Sequence, residues 1–392
     1  MAEAIVGNVH GPTSEALVTA DIGGTNGRIR VYLLESSGSN GGDPVVQNQP
    51  WFDHVYRMSM FSNYTDLVHE CVKDVLAKGN VRFVSGCFAV CGPVWNGGET
   101  NDPNNLWPGK LESAANLAAL FNIENKGAFR FINDFEAIGH SLAALHDTST
   151  AFPDICKPKD LHTLHEPAER VSNTVIACMG AGTGLGLVYL TPSENGAYNV
   201  FPSEGGMVDS FSPRTEEEWK LKRFLMEKHG EYIEIERIVS GPGLVDVYRF
   251  FCDEGLPSFN DEGRKRMALL NSIAPDEQGS FVSKLARAAA TQDSNSSDPA
   301  LKALDLFLKV YGKCLGTTTI NFLPYSGLYI AGGILQKVLW RLEQHPGFVN
   351  AYLSQGPKMS EIPAKIPLTL IGDSSVGLSG ALKMGYSLRK GV

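Results

Sequence analysis

The chain lacks most of the signals that assign a protein quickly. No apolar run approaches the ~20 residues a membrane helix needs, so no span is expected. The first residues show no basic region leading into an apolar stretch, so no signal peptide is expected either. The last four residues, Arg389-Lys390-Gly391-Val392, match neither a peroxisomal nor an endoplasmic-reticulum address. Cysteine is sparse and odd in number, seven in all, with no C-x-x-C and no neighbouring histidine cluster. Cys87 and Cys91, four apart at a strand and its exit, are a poor pattern for zinc. Reduced, buried thiols in a cytoplasmic protein are expected, and the sequons at Asn63 and Asn295 then read as chance matches. Basic residues are outnumbered, 34 Lys and Arg against 43 Asp and Glu, with no basic stripe, so nucleic acid is not an expected partner. A Walker A motif is absent, and the glycines of residues 180–186 miss the G-x-G-x-x-G spacing, so neither a P-loop nor a Rossmann site is supported.

What is present is length and alternation. At 392 residues the chain exceeds one typical core, and 43% apolar with 20% charged suits a globular protein of two domains. Residues 1–16 read as a polar lead-in. Leu17 to Ile22, Gly23-Gly24 and Arg28 to Leu34 read as strand, tight turn, strand. Glu35 to Pro50 reads as a loop, Leu67 to Leu76 as a helix with one buried face, and Val81 to Val90 as a core strand. Leu111 to Phe121 reads as a helix, Phe129 to Ile132 as a strand, and Phe135 to Leu145 as a helix. The proline-bearing stretch from Asp147 to Ser172 reads as an insertion. The pattern then restarts: Thr174 to Met179, a glycine turn at Gly180 to Gly186, and Leu187 to Leu190 repeat the first hairpin, a weak internal duplication. Mainly helical segments follow, including Glu217 to Lys228, Leu244 to Phe251, Phe281 to Ala290, Leu301 to Asn321 and Leu335 to Leu342. Strands are expected at Leu328 to Ala331 and Leu368 to Ile371, and a last helix at Val376 to Tyr386. Strands alternating with helices predict two α/β lobes.

Three glycine turns could approach a phosphate. In Asp21-Ile22-Gly23-Gly24-Thr25-Asn26 the paired glycines remove Cβ hindrance, Thr25 and Asn26 add donors, and Asp21 can orient a metal-bound water. Gly180-Ala181-Gly182-Thr183-Gly184-Leu185-Gly186 alternates small residues along one face of a turn. Ala331-Gly332-Gly333-Ile334 ends a strand and opens a helix. Asn133-Asp134 follows a short apolar strand, where Asp134 reads either as a helix N-cap or as a general base, and the residues alone favour the cap. Glu204 and Glu236 lie beside glycine turns and read either as acceptors for sugar hydroxyls or as solvated loop acids, the commoner case.

In this order the motifs resemble those of the bacterial-type glucokinase family, within the actin/hexokinase/Hsp70-like ATPases, and the resemblance spans nearly the whole chain after the lead-in. Asp21 to Asn26 resembles the first phosphate motif, Gly180 to Gly186 the second, and Ala331 to Ile334 the adenosine motif. Gly377-Leu378-Ser379-Gly380-Ala381 is similar to the small-residue helix that connects the lobes. Ile132-Asn133-Asp134-Phe135 resembles the catalytic segment, which reverses the reading of Asp134 to a base, with Asn133 on the sugar. Glu204-Gly205-Gly206 and Glu236 to Gly243 resemble sugar-contact segments.

The resemblance implies a two-lobed actin-like (ribonuclease H-like) α/β fold with the ligand cleft between lobes. It implies a small domain of residues 1–140 completed by a C-terminal helix at 374–392, and a large domain of residues 141–373. It also implies transfer of the γ-phosphoryl of MgATP to the 6-hydroxyl of glucose, giving glucose 6-phosphate. Asp134 would be the catalytic base, with Asn133, Glu204 and Glu236 on the sugar. Asp21, Gly23, Gly24, Thr25, Asn26, Gly182, Thr183, Gly184, Gly332 and Gly333 would hold the nucleotide. No residue would bind the metal directly, Asp21 reaching it through water. The family is often dimeric, so a homodimer is implied. The rival classes are an actin- or chaperone-like ATPase and a sugar-binding regulator without catalysis. One departure from the family stands out: Met207 occupies the position where histidine commonly follows Glu-Gly-Gly, and a thioether is no donor.

Overall fold

The computed structural model describes residues 14–37, 42–95, 98–100, 107, 111–150, 152–255 and 261–390. The expected lead-in is therefore outside the described residues up to position 13, and so is the middle of the expected loop at 38–41. The chain divides into two compact units: Met1–Lys159 with Ser193–Pro202 and Ser375–Val392, and Asp160–Pro192 with Ser203–Ser374.

The first unit is built on a mixed sheet. Strands β1 (Ser14–Ile22) and β2 (Asn26–Ser37) form an antiparallel hairpin, and β2 also pairs with β3 (Gly42–Val46) and β4 (Phe52–Arg57). β1 runs parallel to β5 (Val81–Val90), which runs parallel to β9 (Phe129–Asn133). A small three-stranded sheet of β6 (Val94–Trp95), β7 (Glu99–Thr100) and β8 (Glu112–Ser113) follows β5. β5 is almost continuously buried because it has parallel neighbours on both edges and packing on both faces. One layer holds α1 (Tyr64–Lys78) and α2 (Ala114–Leu120), whose apolar faces join Val18, Phe88 and Phe131 in a core. The other holds α3 (Asp134–His146) and the last helix of the chain (Val376–Lys390), packed on β1 and β5.

The second unit repeats this plan. Its sheet runs β10 (Leu161–His165), β15 (Leu368–Ile371), β14 (Gly327–Ala331), β11 (Ile176–Ala181), β12 (Leu185–Pro192); β13 (Tyr198–Ser203) falls, up to Pro202, in the segment counted with the first unit. β11 and β12 form the hairpin, and β14 and β15 add parallel strands beside β11, matching β5 and β9 beside β1. Two hairpins alone are a thin sign of duplication; the shared strand order is a strong one. The helices are α4 (Glu216–His229), α5 (Gly241–Gly255), α6 (Asp261–Ser272), α7 (Pro275–Gln292) and α8 (Pro299–Phe322). Short helices α9 (Gly333–Lys337), α10 (Leu339–Gln344), α11 (Gly347–Leu353) and α12 (Glu361–Ala364) complete the unit, and the last helix of the first unit is α13. A core of Leu304, Phe307 and Tyr311 of α8 with Leu328 and Ile330 of β14 joins sheet to helices.

Several expectations are corrected. The stretch read as an insertion contributes β10, an antiparallel partner of β15, and the expected loop of 35–50 contains β3. The helix expected from Leu335 to Leu342 breaks at Val338, whose φ of −113° and ψ of 15° leave the helical region. Edge strands β4 and β13 had no expectation at all.

Candidate active site

In the first unit the parallel strands end in register: Ile22 faces Val90, and Val90 faces Asn133. Open α/β sheets bind ligands beyond such carboxyl ends. The hairpin turn is closed by the Gly23 N–H donating to the Asn26 carbonyl at 3.0 Å, and backed by the Met58 N–H on the Thr25 carbonyl at 3.0 Å. Gly24, Thr25 and Asn26 therefore present the rim of the turn, with Thr25 and Asn26 exposed.

Asp21 is one residue back along β1, opposite Arg28 of β2. Burial pushes its carboxyl up to about 6. Gly377 on α13 packs against it so closely that a Cβ there would lie 3.2 Å from Asp21 Oδ2. A side chain at Gly377 would thus press on this carboxylate, while the α3–α13 crossing requires a small residue outright, since a Cβ on Gly380 would collide with the Ala137 carbonyl.

Asn133, rather than Asp134, is the N-cap of α3. Its Oδ1 accepts from the N–H groups of Phe135 (2.8 Å) and Glu136 (3.3 Å), and its Nδ2 donates to the Gly92 carbonyl at 3.1 Å. Asp134 is left as the first helical residue, half-buried, accepting from the Phe135 N–H at 2.9 Å. Cys91, which the sequence offered only as half of a poor zinc pattern, follows the end of β5. The Cys91 thiol is pushed up to about 12, first by burial and then by the charges of Asp134 and Asp21, against the Gly24 N–H, which favours its anion. The Cys91 N–H donates to the Ile22 carbonyl at 3.0 Å, so the residue past the end of β5 meets the end of β1. Its position just past a core strand's end was the available signal.

In the second unit Leu185 is the meeting point. Its N–H donates to Glu236 Oε2 at 2.7 Å, and its carbonyl lies under Gly206, which has no room for a side chain. The Glu204 turn and the Glu236 turn therefore both rest on the residue that follows the Gly182-Thr183-Gly184 turn. A Cβ on Gly184 would lie 2.5 Å from Glu236 Oε2, so a side chain there would push the Glu236 carboxylate aside. Gly182 meets nothing within 4 Å, so the protein's own packing does not require a glycine there. The Gly241 N–H donates to the Gly182 carbonyl at 2.8 Å, tying α5 to the turn. Gly332, at φ 87°, lies against the Ala181 carbonyl and caps α9, while Gly333 faces open space. Glu204 is exposed and Glu236 half-buried. Met207 is 42% exposed and so is not a core residue. Among the described residues no group of three or more His, Cys, Asp or Glu side chains could hold a metal ion. No helix among them is long and apolar enough to cross a membrane.

The structure thus brings Asp21, Gly23, Gly24, Thr25, Asn26, Asn133 and Asp134 together in one unit. It brings Gly182, Thr183, Gly184, Glu204, Glu236, Gly332 and Gly333 together in the other. Two α/β units of one topology, each with a glycine hairpin turn, define the actin/hexokinase class of fold.

Comparison narrows the class. The Glucokinase family model matches residues 18–386, and the chain belongs to the glucokinase family. A glucokinase of Nostoc sp. (strain PCC 7120) is 34% identical over 374 residues, covering 93% of this chain and 97% of its own length. A glucokinase of Yersinia enterocolitica is 27% identical over 96% of this chain and 99% of its own. The crystal structure of glucokinase from Balamuthia mandrillaris in complex with glucose superposes with a TM-score of 0.71 at 22% identity, covering 95% of this chain and 94% of that one. The activity is that of a glucokinase, an ATP-dependent hexose phosphotransferase.

Proposed function

We propose that Asp134 accepts the proton of the glucose 6-hydroxyl as that oxygen bonds to the γ-phosphorus of ATP. The bond from the γ-phosphorus to the bridging oxygen breaks, and ADP leaves with the electron pair. The observation that carries this reading is the division of labour at the start of α3. Asn133 is the N-cap, accepting from the Phe135 and Glu136 N–H groups, and Asp134 follows it directly past the carboxyl end of β9, where β1 and β5 also end in register. A base here needs no further covalent partner, since phosphoryl transfer rests on positioning and charge stabilisation.

Glu204 and Glu236 receive sugar hydroxyls. Glu236 does so through the oxygen that does not bind Leu185. The one remaining Asn133 Nδ2 hydrogen offers a donor to the same ligand. The turns at Gly23 to Asn26 and Gly182 to Gly184 cradle the phosphates by backbone N–H groups, and Gly332-Gly333 borders the adenosine. Asp21 fits an Mg²⁺ that keeps most of its waters: it is a single carboxylate beside a phosphate turn, with no cluster of protein ligands among the described residues. The ion, when bound, offsets charge on the phosphates. The proposed compartment is the cytoplasm, supported by seven cysteines, none in a disulfide and five of them buried. A homodimer is proposed on the resemblance alone, and sedimentation velocity reads it.

The test is a coupled assay across hexoses and phosphoryl donors, with the product identified by NMR. Glucose with ATP should give glucose 6-phosphate at the highest kcat/KM. ATP hydrolysis that is indifferent to sugar would instead mark an ATPase.

A further inference from the structure

Two segments carry the proposed sugar carboxylates, and they are 32 residues apart in sequence, at Glu204 and Glu236. Both rest on Leu185, but that contact fixes only one side of each. The other side is tied by an exposed tyrosine. The Tyr232 hydroxyl donates to the Met207 carbonyl at 3.1 Å and accepts from the Asp209 N–H at 3.2 Å. Three residues on, the Ile235 N–H donates to the Val208 carbonyl at 2.9 Å. Inside the first segment the Met207 N–H donates to the Glu204 carbonyl at 3.0 Å. A path of hydrogen bonds and main chain thus runs from Glu204 through Met207 and Tyr232 into the turn that holds Glu236.

We propose that Tyr232 is a positioning residue for the sugar, whose hydroxyl staples the Glu204 turn to the Glu236 turn. This rests on the reading that those two carboxylates receive the sugar. Tyr232 is 56% exposed, so its ring adds little to the core and its hydroxyl competes with water for both partners. Such bonds contribute little to folding, because water replaces them when they are lost. Their effect is on order: with the hydroxyl in place, the strip is tied to the Tyr232–Ile235 segment at Met207, Val208 and Asp209, and without it at Val208 alone, Asp209 keeping its 3.5 Å contact with Lys222. A ligand that needs both carboxylates in register then binds a less preorganised pair. Lys222 holds the same strip from the other side, through the Phe211 carbonyl at 3.2 Å, so removing the tyrosine hydroxyl loosens the strip without releasing it.

The experiment compares Tyr232→Phe with the wild type in the full-length protein, by glucose calorimetry, steady-state kinetics, melting and amide hydrogen exchange. The account expects exchange at the Asp209 amide to accelerate. It expects glucose to bind about three- to ten-fold more weakly, while kcat, the KM for ATP and the melting temperature stay at wild-type values. Unchanged glucose affinity despite faster exchange at Asp209 would overturn the proposal. So would a fall in kcat and melting temperature together, since that pattern marks a structural residue. Failure of the kinase reading would appear separately, as wild-type protein that does not phosphorylate glucose, and the binding and exchange contrasts do not depend on turnover.

Discussion

Asp21 carries a cost within the first sheet. Its carboxyl, raised by burial from 3.8 to about 6, holds a proton more tightly folded than unfolded. Folding stability therefore falls as pH rises from about 4 to about 6 and stays flat above, the sign expected when the unfolded chain releases the proton first. At about 1.4 kcal/mol per pH unit, the ligand-free protein gives up at most about 3 kcal/mol. Asp21→Asn should abolish that slope, melt higher than the wild type at pH 7.5, and lose ATP-dependent turnover. Denaturant titrations at several pH values check the first part; an unchanged slope would show that the carboxyl is not desolvated. Met207 poses a different question at this scale. Its exposure means that Met207→His should shift stability by no more than about 0.5 kcal/mol. If the new imidazole reaches the sugar, discrimination between glucose and its 2-modified analogues should sharpen by about 1–3 kcal/mol. An unchanged kcat/KM ratio in the folded variant removes Met207 from the sugar site.

Among the elements, the crossing of α3 and α13 is the least forgiving. A methyl group on Gly380 has nowhere to go but the Ala137 carbonyl, so Gly380→Ala should destabilise by at least about 2 kcal/mol. The Gly182 turn is the reverse case. A Cβ there meets no protein atom within 4 Å, so Gly182→Val should fold with near-normal stability while the KM for ATP rises and glucose affinity holds. Equal loss of both ligands would mark the glycine as structural. The same contrast explains what the sequence revealed. β5 could be read to its ends from one unbroken apolar run, Val81 to Val90, because burial on both faces leaves a local pattern. Strands β4, β10 and β13 could not. They lie at sheet edges, and what makes them strands is a partner far off in the chain, such as Leu368 to Ile371 for β10. The site was legible as motifs but not as geometry. Nothing local told that Asn133 would be the cap, that Cys91 would meet the end of β1 through the Ile22 carbonyl, or that Leu185 would support both sugar turns.

At the scale of the whole molecule, one topology is used twice and given different chemistry. The first copy puts carboxylates at the ends of β1 and β9; the second supports Glu204 and Glu236 on the first residue of β12. Parallel pairing of β1 with β5 and of β11 with β14 makes the copies equivalent, and those pairings join segments too distant for pattern reading to connect. The central claim is that this duplicated frame serves a single base. Asp134→Asn tests it most directly, because Asn133 keeps the helix capped and the substitution preserves shape. The account predicts kcat for glucose phosphorylation lower by about 10²–10⁴-fold, with glucose affinity and melting temperature at wild-type values. Asn133→Ala, by comparison, should cost about 1–2 kcal/mol of stability. A folded Asp134→Asn variant that retains near-normal kcat would contradict the account.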